Sequence, residues 1–232
     1  MLRRRTAGVL VLLLALACGC SASPDTRGPL PDGTTMVHDA ATALEQLHSI
    51  EFDFSVSGTI PGLDVREVKG QASRDGGRYG TAVGQADMQE STNRFELQYE
   101  IDGDTLRLTD QHGTRTDEPV PAEYNIVALL DPQHGVPSLL RAATGLKTET
   151  KEDVQGVETY RVTGQVAKSV VSGLLPGITS DVDVKFWVTQ SQPQTLVRVW
   201  MQVPPRQPNE GAVMLELGLS HANAPISSTA AG

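Results

Sequence analysis

The sequence is poor in cysteine and in aromatic residues. Its only two cysteines, Cys18 and Cys20, lie near the N-terminus, so the rest of the chain has no thiol for a disulfide, a metal site or nucleophilic catalysis. Aromatic residues make up 4% of the chain, which leaves few bulky side chains to fill a core. A domain formed by the later residues must therefore be stabilised by burial alone, and about 200 residues suffice for one such domain.

Basic charge is also scarce. The chain has 19 Lys and Arg against 28 Asp and Glu, a net charge of −9, and removal of residues 1–19 would take away three arginines and no acid, which leaves −12. This deficit excludes the basic footprint of a nucleic-acid-binding protein, so no nucleic-acid partner is predicted. An acidic surface is not attracted to anionic headgroups either, so membrane attachment must come from a lipid.

Motifs for catalysis and for metal binding are missing. The histidines His38, His48, His112, His134 and His221 show no spacing such as H-E-x-x-H. The sequence also has no G-x-S-x-G elbow and no Gly-rich phosphate loop with a lysine. It therefore predicts no enzyme, no cofactor and no metal site, although an esterase built from distant residues remains a weak alternative.

The N-terminus has the parts of an export signal. Three arginines over residues 3–5 precede an apolar run of 11 residues over 7–17, which is shorter than the about 20 residues of a membrane-spanning helix. Cys20, between Gly19 and Ser21, is the predicted lipidation site, and Cys18 is the competing register. An ordinary secretory signal with incidental cysteines is the remaining interpretation. The predicted location is the cell membrane, with a lipid-anchored domain that faces the periplasm or cell envelope.

Composition divides the chain into four segments. Residues 1–19 are the predicted signal peptide, and residues 20–32, rich in Pro, Ser and Gly, are a flexible tether that reaches about 20 Å as a random coil. Residues 33–220 form the predicted domain. Residues 221–232, small and polar, are a loose C-terminal tail.

Within the domain, apolar residues first recur at helical spacing and then alternate. Residues 34–48 predict a helix whose cap is Asp32, Thr34 or Thr35. Alternation with a period of two then predicts roughly nine or ten strands with one apolar face, hence an antiparallel sheet. The clearest strands span residues 51–59, 94–101, 158–164, 181–189, 195–202 and 212–220, and shorter helical segments span 124–130, 136–143 and 165–175. From this pattern, side chains filling the space between sheet and helices are the ordinary outcome, and a cavity there is the alternative.

Four segments in order resemble a known family. They are residues 29–32 (PLPD), 56–63 (VSGTIPGL), 124–140 with their Asp-Pro, Gly and Leu-Leu positions, and 154–166 (VQGVETYRVTGQV). Together they are similar to the LppX/LprA/LprF/LprG lipoproteins of mycobacteria and related actinobacteria, and most of all to the LprG branch. No single segment is specific, and their order and spacing carry the resemblance over nearly the whole chain.

The resemblance implies a fold and a ligand. It implies an α+β fold with a single curved antiparallel sheet, a half-open β-barrel like that of LolA and LolB, with a few helices on the concave face and a lipid cavity between the layers. The implied ligand is a triacylated glycolipid or triacylglycerol, carried across the periplasm, and the implied protein partner is a major-facilitator efflux transporter. Two stretches, residues 74–78 and 204–209, depart from the family pattern and are interpreted as solvated loops, with a changed cavity mouth or partner surface as the alternative.

Candidate cavity residues come from the apolar positions of the strands and from the family counterpart of residues 82–86. Alignment there leaves open whether Ala82 or Val83 points inward, and replacing Val83 with Trp is expected to block lipid loading. The full candidate set is Phe52, Phe54, Val56, Ala82, Val83, Phe95, Leu97, Tyr99, Val182, Val184, Phe186 and Val188.

Three functions remain open from the sequence. The leading one is a lipid carrier, which needs apolar walls and no catalytic group. The second is a membrane-tethered interaction partner of an efflux transporter or of cell-wall machinery, without lipid carriage. The third is a lipid-modifying enzyme.

Overall fold

One unclosed antiparallel sheet forms the framework of the protein. The computed structural model describes residues 25–121 and 126–226. Its eleven strands pair in the order β6-β5-β4-β3-β2-β1-β11-β10-β9-β8-β7, so that β6 and β7 are the two edges. The strands are β1 (Ser49–Ser57), β2 (Val65–Ser73), β3 (Thr81–Glu90), β4 (Asn93–Asp102), β5 (Thr105–Asp110), β6 (Arg115–Pro119), β7 (Thr144–Val154), β8 (Val157–Val166), β9 (Val182–Thr189), β10 (Leu196–Val203) and β11 (Val213–Ser220). The helices are α1 (Gly33–Glu45), a 3-10 helix (Ile126–Leu130), α2 (Val136–Ala142) and α3 (Lys168–Leu174).

The predicted fold class is confirmed, with strand pairing throughout between neighbours that run in opposite directions. The number of strands is eleven, against roughly nine or ten predicted. No helix in residues 25–121 or 126–226 has the length and apolar character needed to cross a bilayer.

Helix α1 covers one half of the sheet. Asp32 caps it by accepting a hydrogen bond from the backbone N–H of Thr35 at 2.7 Å, which decides among the three predicted caps and holds the pKa of Asp32 below its ordinary value. The helix contacts α2 and packs mainly on β7, β9 and β10. Its buried stripe consists of Met36, Val37, Ala40, Ala41 and Leu44.

Two of the shorter predicted helices differ from their observed bounds. Gln165 and Val166 were assigned to a helix but pair with Asp183 and Val182 in the sheet, and α3 begins only at Lys168. Of the predicted helix over residues 124–130, the first two residues lie outside the described part, and the rest is a 3-10 helix.

The core lies between the helices and the face of the sheet that we call the inner face. Strand pairing aligns a row of apolar residues on this face from β1 to β8. Along that row exposure falls from half-buried Phe54 to 0% at Phe186 and Val162. Phe54, Leu217, Val199, Phe186 and Val162 make up the row. Complete burial of the β8–β9 end shows that side chains fill the space between sheet and helices there.

The described parts of the predicted tether and tail are bonded to the sheet. Asp25 exchanges two backbone hydrogen bonds with Lys151 of edge strand β7, at 3.2 and 2.8 Å. At the other terminus the backbone N–H of Asn223 donates to Ser49 at 2.9 Å, and its side-chain oxygen accepts from His48 at 2.8 Å. Backbone pairing of this kind leaves no mark on composition, so composition alone does not predict it.

Candidate functional site

Burial of the inner face is complete at one end of strands β1–β5. One residue from each strand forms a continuous row in the pairing register. These five residues are between 0% and 6% exposed: Ile50, Ala72, Ala82, Ile101 and Leu106. This end of the inner face, where β1 begins, is therefore closed.

At the opposite end of the same strands, the inner face is open. Apolar side chains there are only half-buried, and Phe95 is 39% exposed. We call this set the apolar groove, and its members are Phe54, Val56, Val68, Met88, Phe95, Leu97 and Leu108. All of them except Phe95 also pack against the buried core. An apolar surface that is partly exposed on one side and joined to the core on the other is suited to contact with an apolar ligand.

Tyr99 lies on the inner face between its closed end and its open end. Its ring lies across paired Gly70 and Gly84, because a Cβ at either glycine would overlap with the Tyr99 hydroxyl. The hydroxyl donates a hydrogen bond to the carbonyl of Lys69 at 3.3 Å. Tyr99 is 6% exposed, and burial raises its pKa above the ordinary value. Tyr99 therefore forms the inner end of the apolar groove.

The raised pKa of Tyr99 predicts an alkaline loss of stability. Below about pH 10 the phenol is neutral in both states, whereas above it the unfolded chain releases the proton and the folded chain does not. The free energy of unfolding then falls as pH rises, by about 1 kcal/mol near pH 11. The Y99F variant should be about 1 kcal/mol less stable at neutral pH and should lose this deficit near pH 11. Urea unfolding of the native protein and of Y99F, at neutral pH and near pH 11, measures the difference in their free energies of unfolding. A difference that is the same at both pH values would contradict the prediction.

The predicted cavity residues fall into two groups in the structure. Phe54, Val56, Phe95 and Leu97 come together in the apolar groove. The others on the inner face lie in the closed core or at its border, and each of these residues is at most 6% exposed. These are Phe52, Ala82, Tyr99, Val182, Val184, Phe186 and Val188.

Val83 lies on the opposite, outer face, and its assignment to the cavity is corrected. In the register Ala82 pairs with Ala72 and Ile101, whereas Val83 pairs with Gln71 and Glu100. Partners in an antiparallel pair point to the same side, so Ala82 faces the core and Val83 the polar surface.

Sequence reasoning missed the groove residues of β2, β3 and β5. Val68 and Met88 share their faces with Gly70, Ala72, Gly84 and Ala86, which are too small to mark an alternating strand. Counting glycine and alanine as apolar in residues 65–73 and 81–88 would have shown the period of two.

One of the two stretches that depart from the family pattern, residues 74–78, helps to hold the helices on the sheet. Arg74 was assigned to a solvated loop but is half-buried. Its guanidinium donates to the carbonyl of Glu45 at the end of α1, at 3.0 Å, and to that of Leu130 in the 3-10 helix. Glu45 also forms an ion pair with Arg141 of α2, which holds its pKa below the ordinary value. These bonds fasten the helices to the closed end of the sheet.

Side chains for metal coordination do not assemble in the described part of the chain. No group of three or more His, Cys, Asp or Glu side chains within residues 25–121 and 126–226 is arranged to hold a metal ion.

A protein-family model and several known proteins match this sequence. The LppX_LprAFG lipoprotein family model matches residues 32–227. The lipoarabinomannan carrier protein LprG of Mycobacteroides abscessus is 27% identical over 223 residues, which cover 94% of this chain and 92% of that protein. The LprG of Mycobacterium leprae is 28% identical over 205 residues, which cover 86% and 80%.

Solved structures of the same family share the fold. LprF from Mycobacterium bovis superposes with a TM-score of 0.71 at 21% identity, over 87% of this chain and 97% of that one. LppX from Mycobacterium tuberculosis gives 0.63 at 19% identity, over 84% and 96%. The chain therefore belongs to the LppX/LprA/LprF/LprG lipoprotein family.

Proposed function

We propose that this protein is a membrane-anchored carrier that binds a multi-acyl lipid or glycolipid in the apolar groove and moves it between layers of the cell envelope. The observation that carries the proposal is the gradient of burial along β1–β5, from a closed row at one end to half-exposed apolar side chains at the other. The name of the two mycobacterial relatives, lipoarabinomannan carrier protein, supports a lipoglycan as the ligand.

The energetics of acyl chains explain why such a groove is needed. Exposure of an acyl chain to water costs about 0.8 kcal/mol per methylene, or about 12 kcal/mol for a chain of roughly sixteen carbons. A carrier must replace this exposure with apolar contacts while leaving the polar headgroup in water. The groove supplies apolar side chains from β1 to β5 that can contact the acyl chains. Because it is open at one end, the headgroup can remain in water.

Lipid extraction of the purified protein tests the carrier function. Acyl lipid should copurify with the native protein and appear in native mass spectra as a defined mass increment. A protein that carries no acyl lipid and takes up none from vesicles would contradict the carrier function and favour the interaction partner of a transporter or of cell-wall machinery. Hydrolysis of a lipid ester by the purified chain would instead favour the enzyme.

The lipid anchor is proposed at Cys20, which lies outside the described residues. Because Asp25 is paired with β7, only the four residues between Cys20 and Asp25 separate the anchor from the domain, a span of at most about 18 Å when fully extended. Edge strand β7 would then lie close to the membrane, and transfer across the envelope would need a bridging partner or release of the domain.

Replacement of the anchoring cysteine should detach the protein from the membrane. The C20A variant loses the diacyl group, which supplies two or more buried chains, and should move from the membrane fraction to the soluble fraction. The C18A variant is the matched control and should stay in the membrane. Fractionation followed by mass spectrometry of the mature N-terminus measures this, and the reverse result would move the anchor to Cys18.

A further inference from the structure

The outer face of the sheet carries a concavity that the proposed carrier function does not use. Its volume is about 990 Å³. Most of its lining comes from residues of β1–β5 and β11 whose side chains face outward, together with Arg115 of edge strand β6 and Gln155 of the β7–β8 turn. Phe52, Gly70, Gly84, Tyr99 and Leu219, which belong to the inner-face register, also border it. We call it the outer concavity. It lies on the opposite side of the same strands from the apolar groove, since Val83 lines it and Ala82 faces the core.

Its lining is charge-neutral in a chain of net charge −9. The charged residues are three acids, Glu51, Asp53 and Glu100, and three bases, Lys69, Arg107 and Arg115. Opposite charges are paired inside it: Lys69 lies 3.5 Å from Asp53, and Arg107 lies 3.1 Å from Glu100. Each of these bases also pairs with an acid beside the concavity, Lys69 with Glu67 at 2.5 Å and Arg107 with Asp117 at 3.0 Å. A strongly charged ligand would have to disrupt these ion pairs, and the lining has no net charge to attract it. The lining therefore favours an uncharged ligand.

Amide groups supply the remaining polarity. Gln85 and Gln98 face each other across β3 and β4, and Gln155 reaches the same concavity. Within the described residues the side chains of Gln85, Gln98 and Gln155 make no hydrogen bond to the protein, in contrast to Gln71, the fourth glutamine of the lining, which has a partner. Each amide offers both donors and acceptors. The hydroxyl of Thr109 adds a group of the same kind. Paired donors and acceptors suit neighbouring hydroxyl groups, each of which donates and accepts.

The floor of the outer concavity has an open position at Gly218. This glycine pairs with Asp53 on one side and Arg198 on the other. A Cβ placed on it would meet only atoms of Asp53, at 3.8 and 3.9 Å, which is ordinary contact. A side chain there would therefore be tolerated by the fold and would project into the concavity.

We propose that the outer concavity binds an uncharged oligosaccharide, the glycan of a glycolipid whose acyl chains lie in the apolar groove. The inference deepens the proposed carrier function and rests on it for the acyl part. Strand β5 connects the two sites, because Leu108 points into the groove while Arg107 and Thr109 line the concavity. All five residues of edge strand β6 are exposed, so a glycan leaving the groove can pass around that edge to Arg115.

Titration with free α-mannohexaose, an uncharged oligosaccharide without acyl chains, tests the outer concavity alone. The full chain is purified in a zwitterionic detergent that has no sugar headgroup, and binding is followed by calorimetry and by backbone amide shifts. Saturable binding is expected, with shifts centred on Gln85, Gln98 and Gly218. The G218L variant should weaken binding about tenfold, the equivalent of about one hydrogen bond. The matched G211L variant, at an open glycine in the β10–β11 connection, should bind as the native protein does.

Several results would overturn the glycan site. They are absence of saturable binding, an equal affinity for a polyanionic oligosaccharide, unchanged binding in the G218L variant, or binding of an extended neutral peptide at these residues in place of the sugar. Acyl lipid measured in the same preparation reports on the carrier function separately, because lipid retention does not depend on Gly218. Acyl lipid without oligosaccharide binding would therefore overturn the glycan site alone, whereas oligosaccharide binding without acyl lipid would overturn the carrier function.

Discussion

The A86W variant should bind a triacylglycerol about a hundredfold more weakly than the native protein. Ala86 lies on the inner face between Val68 and Leu97, at the border between the closed core and the apolar groove. An indole at this position fills space equivalent to roughly four methylenes of an acyl chain, and at about 0.8 kcal/mol each the loss is about 3 kcal/mol. Binding of a triacylglycerol with a fluorescent acyl chain, titrated into the purified protein, measures this effect.

The matched control is V83W, three residues away on the same strand. Because Val83 faces outward, the same increase in volume should leave triacylglycerol affinity unchanged, in contrast to the expectation from sequence alone. A second variant, M88E, places a charge in the groove without enlarging the core and should also weaken binding. Thermal unfolding of each variant shows whether it is folded. Equal affinities for A86W and V83W would contradict the location of the groove.

The F186A variant should lower the free energy of unfolding by about 4 kcal/mol. Phe186 is 0% exposed and is among the largest fully buried side chains in the described part of the chain. Truncation removes its transfer free energy and leaves a cavity that neighbouring strands cannot close. Urea denaturation followed by circular dichroism measures the change, provided that the unfolding slope stays constant.

The matched control is F95A, the same truncation in the apolar groove. Phe95 is 39% exposed, so its loss should lower the free energy of unfolding by less than about 1 kcal/mol. It should instead weaken triacylglycerol binding, because the ring belongs to the surface that receives the acyl chain. If both truncations destabilise the fold equally, Phe95 is a core residue and the groove does not extend to it.

Residue pattern alone located only part of the site. Phe54, Val56, Phe95 and Leu97 were identified because large apolar residues alternate with polar ones in β1 and β4. The same rule also selected Val184 and Phe186, which α1 and its neighbours cover. Period and hydropathy identify the face on which a side chain lies, but not whether a helix packs over it.

Strand register was the second property that residue pattern alone could not predict. Gly70, Gly84 and Ala86 made β2 and β3 difficult to recognise, although the two glycines leave the space that Tyr99 occupies. Whether Ala82 or Val83 points inward depends on a shift of one residue, which reverses every side chain of the strand. Pairing with β2 and β4 decided it.

The scarcity of cysteine and aromatic residues already determined that this domain is stabilised by burial without disulfides, and the alternating pattern determined an antiparallel sheet with one apolar face. Those properties depend on composition and local period, which are present in the sequence itself. The closed core, the open groove and the outer concavity were decided only by tertiary structure. The physical reason is that exposure depends on residues distant in the chain: α1 covers β9 and β10, whereas the apolar ends of β1–β5 remain partly exposed.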